Sequence, residues 1–574
     1  MASGAVYELA FSKHQDIITS LGEGNAFLVW VMGLILDKND LHHLASEFLT
    51  DSNNDKKIDF IYLDTEERRI VFSQGYYTKK KVTGAPANKA SDLNTALAWI
   101  SSGNVGEVPK KLSIIINDCR DAIENNEIDH IQLYYVHNLP ESINVQRELN
   151  TIEKYHKKNF EDKGISISAK ELGIKEINRI YTNKETDIVI HEEVELTASP
   201  ILHESGPKWK ACVFSMLGSE LRDLYNRYGA DLFSANYRGF LGTADRKKIN
   251  NTIKLTAESN KENFWVYNNG ITILTKNIDE KNNKIILLGI SIINGAQTTG
   301  SIGNADEKGE FDKLHILCRA VETTDKETIS RIVEYNNTQN VIKSWDRYSN
   351  NEVQVKIQRE FSAIGHLYST KRGENISDID ISIENVIQPL IAWLGDYKDA
   401  NRGRNSIFDR KELYDKAFST NALHILFVYS LSRCIDNLKI NLRNKNKKTE
   451  KDENKLVLIS HLKFKYFFIS LISNCMEEFF GERISKQYVS FDKSISYRSE
   501  NTIIELASKW HAFADISLTF LVGHISKKDF STVWNDEDEF ISCCNFLQTC
   551  ITSNMEAMPN QSLTDLKESM ISGL

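Results

Sequence analysis

Proline is scarce, seven in 574 residues, and no stretch reads as a Pro-rich linker, a low-complexity tract or an internal repeat. With 41% hydrophobic and 26% charged residues, the composition excludes bulk disorder and supplies material for several cores. Positive charge is not in excess. Seventy Lys and Arg stand against 79 Asp and Glu, a net charge of −9, which argues against a protein that coats nucleic acid indiscriminately. It leaves room for a local basic groove. The eight cysteines, Cys119, Cys212, Cys318, Cys434, Cys475, Cys543, Cys544 and Cys550, form no C-x-x-C pair and no Cys/His run at zinc-ligand spacing. They read as small buried hydrophobes of a reducing compartment. The apolar run near the N-terminus, Ala26 to Leu36, is far short of the roughly 20 residues that span a bilayer. The opening MASGAVYELAFSKHQD also lacks a charged start followed by an apolar stretch, so the expected place is the cytoplasm, with no membrane partner. No Ser-His-Asp or Cys-His order with an elbow motif is present, and His42, His43 and His137 lack partners at ligand spacing.

What is there alternates. Ala26 to Leu36 and Leu41 to Leu49 read as helices, followed by two strands, IDFIYLD (58–64) and RIVFSQGYY (69–77), joined by a polar DTEER turn. KASDLNTALAWI (89–100) places Leu93, Leu97 and Ile100 on one helical face, with Ser91 or Asp92 as cap. LSIIIND (112–118) and HIQLYYVHN (130–138) read as further strands, and 143–158 as a charged helix. DIVIHEEVEL (187–196) reads as a strand and 209–229 as one amphipathic helix; from about 411 helical periodicity dominates, broken by a charge-rich loop at 442–455. The expected architecture is multidomain α/β and α+β. Residues 1–165 form an α/β domain with a mixed sheet, 166–410 a central α+β domain, and 411–574 a helical region.

The densest cluster of unusual residues runs from Phe233 to Gln339. It comprises FSANYRGFLG (233–242), INNTIK (249–254), ENFWVYNNGITIL (262–274), IINGAQTTGSI (292–302) and EYNNTQNVIKSWD (334–346). Asn268-Asn269-Gly270 is a strong turn signal between apolar strands FWVY and ITIL, because Asn and Gly tolerate positive φ. IINGAQTTGSI reads as strand, Gly turn, then a helix start, whose N–H groups and Thr hydroxyls suit an anion. Arg238, Asn268, Asn269, Asn294, Gln297, Thr298 and Gln339 are the expected lining of a polar, phosphate-accepting pocket.

The ordered set NYRGFLG, FWVYNNGITIL, INGAQTT and NNTQ, continued by YSTKRG (368–373) and NRGRNSIF (401–408), resembles the AIPR family over about residues 200 to 415. That resemblance implies phage resistance, often by abortive infection. A looser analogy is to DGQHR-type and ParB-like turns; Thr298 and Thr299 stand where those motifs carry His-Arg, which argues against nucleotide hydrolysis.

The hairpin IDFIYLD and RIVFSQGYY is similar to that of PD-(D/E)XK nucleases, in which an Asp on one strand and an acid or Gln with a Lys two residues later on the next act around Mg²⁺. The resemblance implies a restriction-endonuclease-like N-terminal domain with Asp59 first, as metal ligand, Gln74 second, and Glu23 as a further ligand. Tyr76 occupies the Lys place and supplies no positive charge. Two readings stay open. One is an active Mg²⁺-dependent nuclease. The other is a degenerate domain that binds DNA or RNA, with Lys79, Lys80 and Lys81 on phosphates, Tyr76 or Tyr77 stacking, and Arg402 and Arg404 adding charge to a groove. Expected partners are a nucleic acid or nucleotide, with a phage trigger, an operon partner or a second copy of the chain as further possibilities.

Overall fold

The structure, a computed structural model, describes residues 6–50, 58–80, 82–101, 103, 105–107, 109–160, 162–182, 188, 190, 192–198, 200–229, 232–233, 253, 255–257, 259–303, 310–325, 327–329, 331–332, 348, 351–370, 381–492, 502–525, 528–557 and 560–573. Lys81, Arg238 and Gln339 lie outside the described residues.

Strands β1 (Phe60–Asp64), β2 (Arg69–Tyr76), β3 (His130–His137) and β4 (Ser166–Leu172) form one sheet in that order. β1 and β2 are antiparallel; β2, β3 and β4 run parallel. Every residue of β3 is buried, as a parallel strand covered on both faces requires. One face packs on helices Ala87–Ser101, Lys110–Glu124 and Ile143–Asn159; the other packs on Glu23–Leu36, Leu41–Phe48 and Ile174–Thr182.

A second sheet follows: β5 (Glu193–Leu196), β6 (Pro200–Gly206), β7 (Trp209–Leu217), β8 (Ile271–Lys281), β9 (Lys284–Asn294) and β10 (His315–Glu322), in the order β5-β9-β8-β10-β7-β6. Only the β8–β10 pair is parallel. Beyond Asn351 the chain is mainly helical around one apolar core that runs from Ile357 to Met570.

Several local expectations change. LSIIIND lies inside helix Lys110–Glu124, because Leu112, Ile115, Ile116, Cys119, Ala122 and Ile123 keep helical spacing beyond the seven-residue window. FWVY belongs to helix Lys261–Tyr267, of which Phe264 alone is buried. The single helix expected at 209–229 divides at Gly218 into β7 and helix Gly218–Tyr228; a Cβ there would press on Leu314 at 2.7 Å. Within the 187–196 stretch β5 covers Glu193–Leu196, and the helix expected at 89–100 starts at Ala87, so Ser91 and Asp92 are interior. The 442–455 stretch ends helix Ala422–Asn444 and begins helix Glu450–Ile459 through a Thr449–Asp452 capping box. β4 lies past residue 165 yet completes the first sheet, and helices between Glu352 and Phe418 share the C-terminal core.

The first and last regions meet along a buried charged seam. Asp436, in helix Ala422–Asn444, is 1% exposed; it takes Ser46 Oγ at 2.5 Å, Lys465 Nζ at 2.7 Å and His43 Nδ1 at 3.4 Å. Burial alone would raise its carboxyl; the Lys465 ammonium and His43 reverse this and hold it well below the usual carboxylate range. Alongside, Tyr429 and Arg433 reach Asp40, and Lys439 reaches Glu47 at 2.9 Å. Arg443 donates to the Ala45 and Ser46 carbonyls, which are end groups of helix Leu41–Phe48.

Removing one partner of such a pair strands the other charge. Asp436→Ala is expected to cost about 3–5 kcal/mol, and Asp436→Leu with Lys465→Met to recover most of it, read by thermal and denaturant unfolding. A second test uses pH. Desolvation lifts Asp118, in helix Lys110–Glu124, to about 6 against the pull of Lys463. The folded chain therefore holds a proton there that the unfolded chain releases at about 3.9. Its stability contribution is full below pH ~4 and falls as pH rises through ~6. Asp118→Asn is expected to gain about 1–2 kcal/mol at pH 7.5 and nothing at pH 4; equal effects at both would contradict it.

Candidate functional site

The carboxyl ends of β2, β3 and β4 share one edge of the first sheet, where open α/β sheets place their ligands. Asp59 stands just ahead of β1, opposite the end of β2. Its Oδ2 accepts from Gln74 Nε2 at 2.7 Å and from the Gly75 N–H at 2.8 Å. The two residues singled out in the hairpin are thus brought together. Gln74 is 1% exposed, and its Oε1 has no hydrogen-bond partner among the described residues. Gly75 keeps the approach open, since a Cβ there would meet Leu28 at 3.3 Å and the Asp59 carboxylate at 3.6 Å.

Tyr76 does not take up a lysine's role: it packs half-buried on the core beneath helices Ala87–Ser101 and Ile143–Asn159. Tyr77 goes to the opposite face, against Phe11 and Phe27. Neither ring stands free as a stacking platform. Glu23 opens helix Glu23–Leu36 and pairs with Lys79 at 2.8 Å, a bond that raises the lysine's pKa. Lys80 is exposed.

Two features of this edge escaped the sequence reading. Asn138 clamps the chain leaving β2, accepting from the Thr78 N–H at 3.0 Å and donating to its carbonyl at 2.8 Å. His137 is fully buried, with Nε2 3.0 Å from Glu171; Glu171 also accepts the Ser142 N–H at the start of helix Ile143–Asn159. The polar pair His137-Asn138 directly after the apolar run Leu133–Val136 was the available signal. His43, Glu47 and Asp436 also bring ligand atoms within 4.8 Å of one another, but the ammonium groups of Lys465 and Lys439 stand where a cation would be held.

In the second sheet, IINGAQTTGSI folds as β9, Gly295 at φ +91°, then helix Ala296–Gly303. Asn268 and Thr298 come together, Nδ2 to Oγ1 at 3.1 Å, while Asn268 Oδ1 takes the Gly270 N–H at 2.8 Å. Both ends of the Asn268 amide are therefore used inside the fold. The pair pins the turn entering β8 to the helix after β9. Gly270, at φ +75°, has no room for a side chain, because a Cβ would fall on the Leu317 carbonyl oxygen. Asn269 is exposed, and Asn294 and Gln297 are half-buried.

Arg404 is buried against Glu384; burial alone would lower its pKa, and Glu384 and Tyr62 more than offset that. Arg402 pairs with Asp399 at 3.0 Å. Asp399 is shared with Arg410, at 2.9 Å.

The fold and these sites define a multi-sheet α/β protein joined to a helical core, with a carboxylate–amide pair at a parallel-strand edge. The sequence model of the AIPR protein family matches residues 233–562, more than half of the chain, and the chain belongs to the AIPR family. The match runs on through the helical region, well past the 200–415 span in which the motifs are visible. No curated protein and no solved structure matches the chain.

Asn268→Ala is expected to cost about 1–3 kcal/mol by leaving the Gly270 N–H and Thr298 without partners, whereas exposed Asn269→Ala stays within about 0.5 kcal/mol. Matched thermal unfolding checks this; equal losses would assign the Asn-Asn pair some other role.

Proposed function

We propose that the chain is a bacterial antiphage defence protein, acting by abortive infection, whose N-terminal α/β unit binds nucleic acid at the Asp59–Gln74 edge. AIPR membership supports the defence role. The observation that carries the molecular reading is the Asp59–Gln74 contact at 2.7 Å, with Tyr76 turned into the core and the Lys79 charge taken by Glu23. The restriction-endonuclease-like hairpin is then kept as a binding frame, with no lysine poised at the carboxylate among the described residues. Asn269 and Gln297 remain available for a nucleotide or other anion at the second sheet.

A second reading, metal-dependent cleavage, is favoured by one feature, the unpartnered Gln74 Oε1 beside a carboxylate. Both are hard oxygen donors and fit Mg²⁺. Asp59 and Gln74 would hold the ion, which when bound offsets phosphate charge and acidifies water. The chain's own part is to place that edge: Gly75 admits the carboxylate and Asn138 fixes the strand exit.

Phage plating on cells with matched expression tests the defence role, with wild type expected to lower plating by at least about tenfold. No protection against any phage in a broad panel would overturn it. Purified protein with labelled DNA and RNA and Mg²⁺ separates the two molecular readings. Binding without cleavage, retained in Asp59→Ala, is the expected result; Mg²⁺-dependent cleavage lost in Asp59→Ala would establish the second instead.

A further inference from the structure

Helix Ile143–Asn159 covers the first sheet through Val145, Leu149, Ile152 and His156. At about 100° per residue, Arg147, Lys154 and Lys158 fall opposite that buried stripe, with Lys157 beside them. All four are exposed, and among the described residues none has an ion-pair partner. The two acids of the helix are turned to other work. Glu148 accepts from Ser91 Oγ at 3.1 Å, and Glu153 accepts the Ala169 N–H at 3.1 Å. A chain of net charge −9 thus presents a row of unpaired cations along one crest. The helix dipole accounts for cations in the last turn, Lys157 and Lys158, but not for Arg147, which lies nearer the positive end.

We propose that this crest is where the chain grips the phosphodiester backbone of nucleic acid and leads it to the Asp59–Gln74 edge, an inference that rests on the nucleic-acid reading above. Arg147 to Lys158 spans about 16 Å at 1.5 Å per residue, the axial rise of about five phosphates of one duplex strand. The crest starts at the right place. Ser142 caps the helix, and a Cβ at Gly84, on the chain leaving β2, would lie 3.9 Å from the Ser142 Cβ. Exposed Lys80 lies four residues before Gly84 on the chain leaving β2. Of the other described cations first expected to contact phosphate, Lys79 pairs with Glu23, Arg402 with Asp399 and Arg404 with Glu384.

The test uses the full chain and fluorescence anisotropy with labelled single-stranded DNA, duplex DNA and single-stranded RNA of about 20 nucleotides, across a salt series. Arg147→Glu with Lys154→Glu and Lys158→Glu is expected to weaken binding by at least about tenfold and to reduce the log–log salt slope by about 2–3. The same sites changed to Gln should give an intermediate loss, which guards against a folding defect in the Glu variant. Lys447→Glu with Lys448→Glu and Lys451→Glu makes the same change in net charge on the C-terminal region and should leave affinity within about twofold. Wild-type binding that survives the crest reversal overturns this inference and leaves the nucleic-acid reading standing. Equal losses in both triple variants also overturn it, since net charge alone would then suffice. Absence of binding to all three probes overturns both.

Discussion

A carboxylate with no access to water can stay ionised only if its surroundings replace what water gave it, and Asp436 is such a group. Its three partners come from two other elements: Lys465 from a C-terminal helix, and Ser46 and His43 from helix Leu41–Phe48, almost four hundred residues earlier in the chain. The desolvation cost of a single buried ion is several kcal/mol, so the arrangement holds only when all the partners are in place together. That makes the seam a constraint on position. Helix Leu41–Phe48 cannot slide along helix Ala422–Asn444 without separating charges, and Arg443 fixes its far end by its carbonyls. The same short helix contributes Leu41, Leu44 and Ala45 to the core under the first sheet, and Ile440 joins that core from the other side. Where the parallel-strand edge sits relative to the helical body depends first on this docking.

A second contact fixes the rotation about the first. The turn between β1 and β2 brings Glu66 to the start of helix Arg404–Asp409, where its carboxylate accepts the Asn405 N–H at 3.0 Å. Gly403, at φ +101°, leaves room for Glu66 where any side chain would collide with it. Arg404 beside it is neutralised by Glu384. The RGR stretch, which looks in isolation like free positive charge, is therefore a socket for an acidic hairpin tip. Sequence displays the sign of a charge but not its owner. Apolar contact could have held these surfaces with less desolvation, but two separated ionic contacts specify one relative orientation, whereas a greasy surface admits several.

Legibility followed the range of the interactions. The β1–β2 hairpin, helix Ile143–Asn159 and the strand–Gly–helix of IINGAQTTGSI were readable because turn chemistry and periodicity are local. The Asp59–Gln74 pair was readable because strand alternation and a short turn limit where those residues can go. LSIIIND and FWVY failed for a shared reason: four to seven apolar residues fit a strand or one turn of a buried helix, and neighbours outside the window decide. Asn268 stands out as a turn residue, but that its amide would bond Thr298 and the Gly270 N–H is set by how β8 and β9 are brought together. The ionic seam left no local trace. Its members are ordinary charged residues on amphipathic helices until the fold brings them together.

The limits of the family match carry a structural consequence of their own. Residues 233–562 include β8, β9 and β10 but not β5, β6 or β7. Yet β7 pairs with β10 along all of His315–Glu322, and β5 pairs with β9 on the other flank. Cys212, Phe214 and Met216 of β7 are fully buried in the core beneath that sheet, together with Ile273 and Ile316. A unit cut at 233 would expose a paired edge of β10 and open that core, so the matched region cannot be the folding unit. The matched region keeps the motif-rich half, in which Gly270 and Gly295 tolerate no side chain, whereas β5 and β7 need only alternate apolar and polar residues. Many sequences satisfy such a pattern, so a strand can be required by the fold and still lie outside the recognisable family.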